Sequence, residues 1–243
     1  MTFDVTLADS FLIDEEGKNF QYDNDGNRFY AKDVLLSIIK CNNIIKKFDE
    51  VFYRESDMRL FEVIDKKQTG AFIGAIFISK FCEDTKYIAK NPSQTGSPDL
   101  IPSQYLNFEE ELNWDQFPYG GIEVKTSCGD LPSKKTQELS IGSPRISFLN
   151  NVVWKGHHNE INNLLGLYWD YAPIPSIFAA FYSNELEPSD FTNTVPKEDG
   201  GHTTNVCITK ASAREKMGKN WVVLPKNEVY LTFFKKKFSV LSI

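Results

Sequence analysis

The sequence predicts an α/β fold, a central mixed β-sheet flanked by helices. Apolar residues recur at helical spacing in two long windows of the N-terminal half, and they alternate or run continuously in several short windows further on. Clusters of glycine, proline, asparagine and serine separate the two kinds of window. With 243 residues, 41% of them hydrophobic and 14% aromatic, the chain can bury one ample core. We therefore expect a single domain over 1–243, with an N-terminal helical and hairpin part (1–66), a central core (67–182) and C-terminal strands that complete it (183–243).

The elements follow in chain order. Asp23-Asn-Asp-Gly-Asn27 has the composition of a hairpin turn. Its acids invite a calcium-loop reading, but the glycine stands fourth instead of sixth and no suitably spaced Glu closes the loop. Residues 32–52 place Val34, Leu35, Ile38, Ile39, Ile44, Ile45 and Phe48 close to a 3.6-residue period, which predicts a helix. A second helix over 70–81 is apolar on most sides and hence buried. Residues 90–104 read as a loop around one short strand, and 121–127 alternate as a strand. Two strands, 163–171 and 176–182, meet at Ala172-Pro-Ile-Pro175, followed by a polar loop over 185–203. Strands are predicted at 206–209, 221–224 and 229–234, with a short helix near 212–217.

Composition excludes several classes. Four cysteines lie at 41, 82, 128 and 207, too scattered for a clip, and they read as reduced thiols. Only three histidines occur, so a His-rich metal site is not expected. The start has no basic stretch followed by an apolar run, and the apolar stretch 71–79 is too short to span a bilayer. A soluble, cytoplasmic protein with no membrane partner is expected. The net charge of −6 is unevenly spread: 21 acids against 13 bases up to Gly120, and 12 against 14 after it. Phosphate affinity depends on the local field, so this balance permits nucleic-acid binding without arguing for it.

The chemistry concentrates at Pro98-Asp99 and, 24 positions after that Asp, Glu123-Val-Lys125 within Gly120-Gly-Ile-Glu-Val-Lys-Thr-Ser127. In a strand Glu123 and Lys125 share one face, while Val124 points oppositely into the core. If Asp99 starts the neighbouring strand, three charged groups converge. Two carboxylates, with the backbone carbonyl of Val124, can hold a hard divalent ion. Such an ion polarises a phosphate and acidifies a water, and an adjacent ammonium can orient that water. An acid-x-Lys pattern alone is weak, since Glu16-Gly-Lys18, Asp65-Lys-Lys67 and Asp84-Thr-Lys86 share it. Only Glu123-Val-Lys125 has an apolar centre in a strand-like run and the chain's sole Pro-Asp pair before it. The bland alternative is a surface ion pair on an exposed strand and a loop capped by Asp99.

In this context Pro-Asp…Glu-x-Lys resembles the PD-(D/E)xK nuclease superfamily, and more narrowly type II restriction endonucleases. Lys67-Gln-Thr-Gly70-Ala-Phe-Ile-Gly74 and Glu123-Val-Lys-Thr126 are also similar to MutH-type mismatch-repair nicking endonucleases. The segment from Trp221-Val-Val-Leu-Pro225 to Phe234 is more faintly similar, and residues 67–170 carry most of the resemblance. It implies a restriction-endonuclease-like fold, Mg²⁺ as cofactor, metal coordination by Asp99 and Glu123, and Lys125 as the catalytic lysine. The family often adds a Glu on the preceding helix, where this chain has Ala75, Ile76, Phe77 and Ile78. Glu62 or Glu83 could supply that acid. Asp99 and Glu123 are also further apart in sequence than the usual tight hairpin, and an acid of Glu109-Glu-Glu111 could replace Asp99.

Downstream lie Lys134, Lys135, Arg145, Lys155, His157 and His158, with Asn150, Asn151, Asn162 and Asn163 interspersed. These types hold phosphates and read base edges, so the segment is the candidate contact with double-stranded DNA. Residue by residue, a solvated loop explains each as well. The leading expectation is a Mg²⁺-dependent, sequence-specific endonuclease acting as a homodimer; a monomer nicking each strand in turn also suits the length. The alternatives are a repair-type nicking endonuclease and a non-catalytic binding module with an acidic surface.

Overall fold

The computed structural model describes residues 4–14, 20–107, 112–128, 163–171, 174–190 and 210–238. Within them the chain is mixed α/β. Strand β1 (Phe11–Ile13) precedes the turn at Asp23, whose carboxylate accepts the amides of Asp25 at 3.1 Å and Asn27 at 2.8 Å. Helix α1 (Ala31–Ser56) follows, ending at Asp57 in the left-handed region, then the single turn α2 (Leu60–Val63). Helix α3 (Lys66–Thr85) starts at a capping box in which Asp65 and Gln68 satisfy each other's backbone amides. Strands β2 (Ile88–Lys90) and β3 (Leu100–Pro102) pair as a small antiparallel ribbon. Then come β4 (Glu123–Ser127), β5 (Leu164–Tyr171), β6 (Pro175–Ser183), α4 (Ala211–Lys219), β7 (Trp221–Pro225) and α5 (Glu228–Phe238).

The main sheet is five-stranded in the order β1-β7-β6-β5-β4. The β4–β5 pair is parallel and the rest are antiparallel, so the sheet is mixed. Successive residues show which layer covers which face. Tyr168 packs against Phe233 and Phe234 of α5, whereas the indole of its neighbour Trp169 reaches Gly70 of α3. Phe181 stacks on Phe238 of α5 at 4.1 Å, whereas Tyr182 meets Phe29 edge-on at 4.8 Å on the α3 side. Alternation along the strands thus sends one set of side chains to α1 and α3, the other to α4 and α5. Asn42 of α1 fastens β6 directly: its amide donates to the carbonyl of Ile177 at 3.0 Å and accepts that residue's N–H at 2.8 Å.

Residues 229–234, expected as a strand, belong to helix α5. The Val-Tyr-Leu-Thr-Phe-Phe composition has strand character, but burial follows Tyr230, Phe234 and Phe238 while Thr232 and Lys236, which a strand would place on the same face, are exposed. Asn227 caps its start, accepting from the amides of Val229 at 3.1 Å and Tyr230 at 3.4 Å. Lys235, Lys236 and Lys237 fill the last turn, where the helix dipole favours cations. The strand expected at 206–209 and most of the loop 185–203 lie outside the described residues. Cys41 and Cys82 are free thiols, and Cys207 lies outside the described residues. Among the described residues no helix is long and apolar enough to cross a membrane.

Candidate active site

Strand β4 alternates as its sequence dictates. Val124 is buried in the core, while Thr126 faces α3, donating from Oγ1 to the carbonyl of Gly70 at 3.1 Å. A side chain on Gly70 or Gly74 would press on Thr126, so the two glycines let α3 lie close to the strand. The intervening Glu123 and Lys125 project from the other face, and their side chains form an ion pair. Glu123 is 5% exposed and the Lys125 side chain 17%, so the pair is largely withdrawn from water.

Asp99 reaches the same joint from the neighbouring segment. Leu100 and Ile122 exchange both backbone hydrogen bonds, at 3.0 and 2.8 Å, and lay the start of β3 antiparallel to the entry of β4. Asp99 Oδ2 then accepts the amide of Val124 at 2.9 Å, between Glu123 and Lys125. This close approach depends on Gly121. With φ at +121°, it occupies space where a Cβ would stand 2.4 Å from the carbonyl oxygen of Leu100 and 2.5 Å from Pro98 Cγ. The N-terminal turn braces the same point: Gly121 donates to Tyr22 O at 2.6 Å, and Asn163 Nδ2 joins Tyr22 O at 2.8 Å and Gly121 O at 2.9 Å.

The loop before Asp99 is fixed by side chains. Asn91, 3% exposed, donates from Nδ2 to the carbonyls of Pro98 at 3.0 Å and Trp114 at 2.9 Å. Its Oδ1 accepts the Ser93 amide at 2.9 Å, and its own amide donates to Asp99 O at 2.9 Å. Ser97 Oγ donates to Glu123 Oε2 at 3.4 Å.

Electrostatics at the joint are strained. Burial, and then the charge of Glu123, push the Asp99 carboxyl up from 3.8 to about 6, against the opposing pull of Lys125, the Val124 amide and Lys90. Two carboxylates share one lysine, so the joint carries excess negative charge in low dielectric. Asp99 and Glu123 are the residues that could hold a cation there. Among the described residues no third His, Cys, Asp or Glu joins them in a metal-sized cluster. Glu62 is exposed on α2, and Glu83 is exposed on α3 and paired with Lys80, so neither supplies the extra acid. Glu111 and the DNA-contact candidates Lys134, Lys135, Arg145, Lys155, His157 and His158 lie outside the described residues.

No family model, curated protein or solved structure matches this chain. The site therefore stands on its geometry. Sequence patterns located Asp99, Glu123 and Lys125 but not Asn91, Ser97 or Gly121, whose roles arise from contacts across the chain; Asn163, expected among the DNA-contact asparagines, here braces Tyr22 and Gly121. The reading of 90–104 as a loop around one short strand covers Asn91, though not the identity of the carbonyls it binds.

Proposed function

We propose that this chain is a magnesium-dependent endonuclease that cuts double-stranded DNA at a short specific sequence, in the manner of type II restriction endonucleases and on a restriction-endonuclease-like fold. The observation that carries the reading is the joint itself: Asp99 Oδ2 sits on the amide of Val124, the residue between the paired Glu123 and Lys125. A surface ion pair would not need a half-buried Asp99 set beside a second, buried carboxylate. The donor set suits a hard divalent ion, because two oxygen-bearing groups repel each other where a cation would relieve them.

When bound, Mg²⁺ would polarise the scissile phosphate and acidify a water. Asp99 and Glu123 are the holding ligands, with the backbone carbonyl of Val124 as a third oxygen. The Lys125 ammonium, fixed by Glu123, orients the attacking water and stabilises negative charge that builds on the phosphate. DNA contact is assigned to the lysine-, arginine- and histidine-bearing segment from Lys134 to His158, and a homodimer matches a two-fold symmetric target.

Incubation of supercoiled plasmid with protein and Mg²⁺ tests this directly. Wild type is expected to give discrete linear fragments. Asp99→Ala and Lys125→Ala are expected to cut on the order of 10²–10⁴-fold more slowly while still retarding duplex DNA. Accumulation of nicked circles alone would point to the repair-type nicking activity. A wild-type protein that leaves plasmid intact in both Mg²⁺ and Mn²⁺ would end the nuclease reading.

A further inference from the structure

We infer that Asn91 is a positioning residue whose side-chain amide sets where the Asp99 carboxylate stands against Glu123. The inference rests on the nuclease reading only for its consequence in metal binding; the geometric part stands apart from it. Residues 92–98 leave β2 and return as β3, tied to the segment before β4 by the bridge of Ser97 with Gln116. Asn91 adds, from one buried side chain, the constraint nearest Asp99. Its Nδ2 gathers the Pro98 carbonyl, one peptide before Asp99, and the Trp114 carbonyl from the segment leading to β4. Its backbone amide holds the Asp99 carbonyl at 2.9 Å, and its Oδ1 turns the chain at Ser93. Pro98 and Asp99 are thus pinned on both peptides flanking the Asp99 Cα, and the carboxylate is left with little freedom except toward Val124 N–H. Packing leaves the clamp no slack: a Cβ at Gly96 would stand 2.2 Å from Trp114 O and 2.8 Å from both polar side-chain atoms of Asn91.

The molecule contains its own control. Asn42 is also buried, at 1% exposure, and makes the same kind of contacts: Nδ2 to the carbonyls of Val5 at 2.9 Å and Ile177 at 3.0 Å, Oδ1 to the Ile177 amide at 2.8 Å. It braces α1 against β6, not the Asp99 joint. Asparagine to aspartate at either position keeps the acceptor and removes both donated bonds, so the two changes are chemically matched.

The experiment compares wild type, Asn91→Asp and Asn42→Asp, with Asn91→Ser as the milder second variant should Asn91→Asp not fold. Mn²⁺ binding is read by electron paramagnetic resonance, and exchange of the Val124 amide by NMR. Asn91 variants are expected to bind Mn²⁺ at least 10-fold more weakly and to lose Val124 amide protection selectively within β4. Asn42→Asp is expected to keep both properties at its own reduced stability. Wild-type Mn²⁺ affinity and Val124 protection in the folded Asn91 variant, or equal losses in Asn42→Asp, would overturn the inference. Wild type that binds no Mn²⁺ and cuts no plasmid, with Val124 protection still lost in the Asn91 variant, would remove the nuclease reading and leave the positioning role supported.

Discussion

Strand β6 and the β3–β4 joint solve opposite problems. All nine residues of β6 are buried, its neighbours β5 and β7 pair along it, and helices cover both faces. Its position follows from apolar packing and ladder bonds, which need no particular charged group. At the joint, β4 is the terminal strand of the five and meets β3 through the single bridge Leu100–Ile122. There, side-chain-to-backbone bonds from Asp99, Asn91 and Asn163, with the Ser97–Glu123 side-chain bond, extend what little ladder there is. The difference teaches where charge can be concentrated: at a border where pairing is incomplete, and where polar side chains rather than apolar mass set distances. Stability and site geometry therefore reside in different contacts, and substitutions should separate them.

Phe181→Ala should have the largest effect on stability. The ring is fully buried and stacks on Phe238 at 4.1 Å with Phe234 beside it, so truncation removes packing that α5 cannot refill. A loss of about 3–5 kcal/mol is expected in urea denaturation, with the remaining native protein cutting plasmid at the wild-type rate. Gly121→Ala should touch both properties. Its Cβ collides with Leu100 O at 2.4 Å, and φ of +121° disfavours any side chain, which together should cost about 2–3 kcal/mol. Because the collision pushes the Pro98–Asp99 segment off β4, cleavage should fall well beyond the loss of folded protein. If Gly121→Ala lost only stability, the joint would not be the tightly set device described above.

The same contrast decides what the sequence could reveal. The central strands and the two long helices were legible because periodic burial writes itself into local composition: Val34, Ile38 and Ile45 on α1, the apolar run of β6. Glu123-Val-Lys125 was legible for the same reason, since alternation put Val124 inward and the charges together. Helix α5 was misread because Tyr230, Phe234 and Phe238 stand among other apolar residues, which hides the four-residue spacing. The short ribbon of β2 with β3, and β1 at the sheet border, carry too few residues for a periodic signal. The bracing roles of Asn91 and Asn163 were invisible for a deeper reason. A buried asparagine looks like any loop asparagine until the carbonyls it binds, one of them 141 positions away for Asn163, are brought to it by the fold.

Asp99→Asn should give the smallest change, and its sign is the informative part. Folding raises the Asp99 carboxyl from 3.8 to about 6, so the folded state binds that proton more tightly than the unfolded state. The resulting stabilisation is complete below pH 3.8 and is lost as pH rises through 6, leaving the ionised wild type burdened at pH 7. Asparagine cannot ionise, yet its Oδ1 can still accept the Val124 amide. The variant should therefore be more stable than wild type by about 1–2 kcal/mol at pH 7, with the gain shrinking to nothing below pH 4. Urea denaturation across pH 4–7 measures it. A constant difference over that range would mean that Glu123 and burial place no load on Asp99. A gain that appears at pH 7 and is erased by adding Mg²⁺ to wild type alone would tie the load to the cation the joint is proposed to hold.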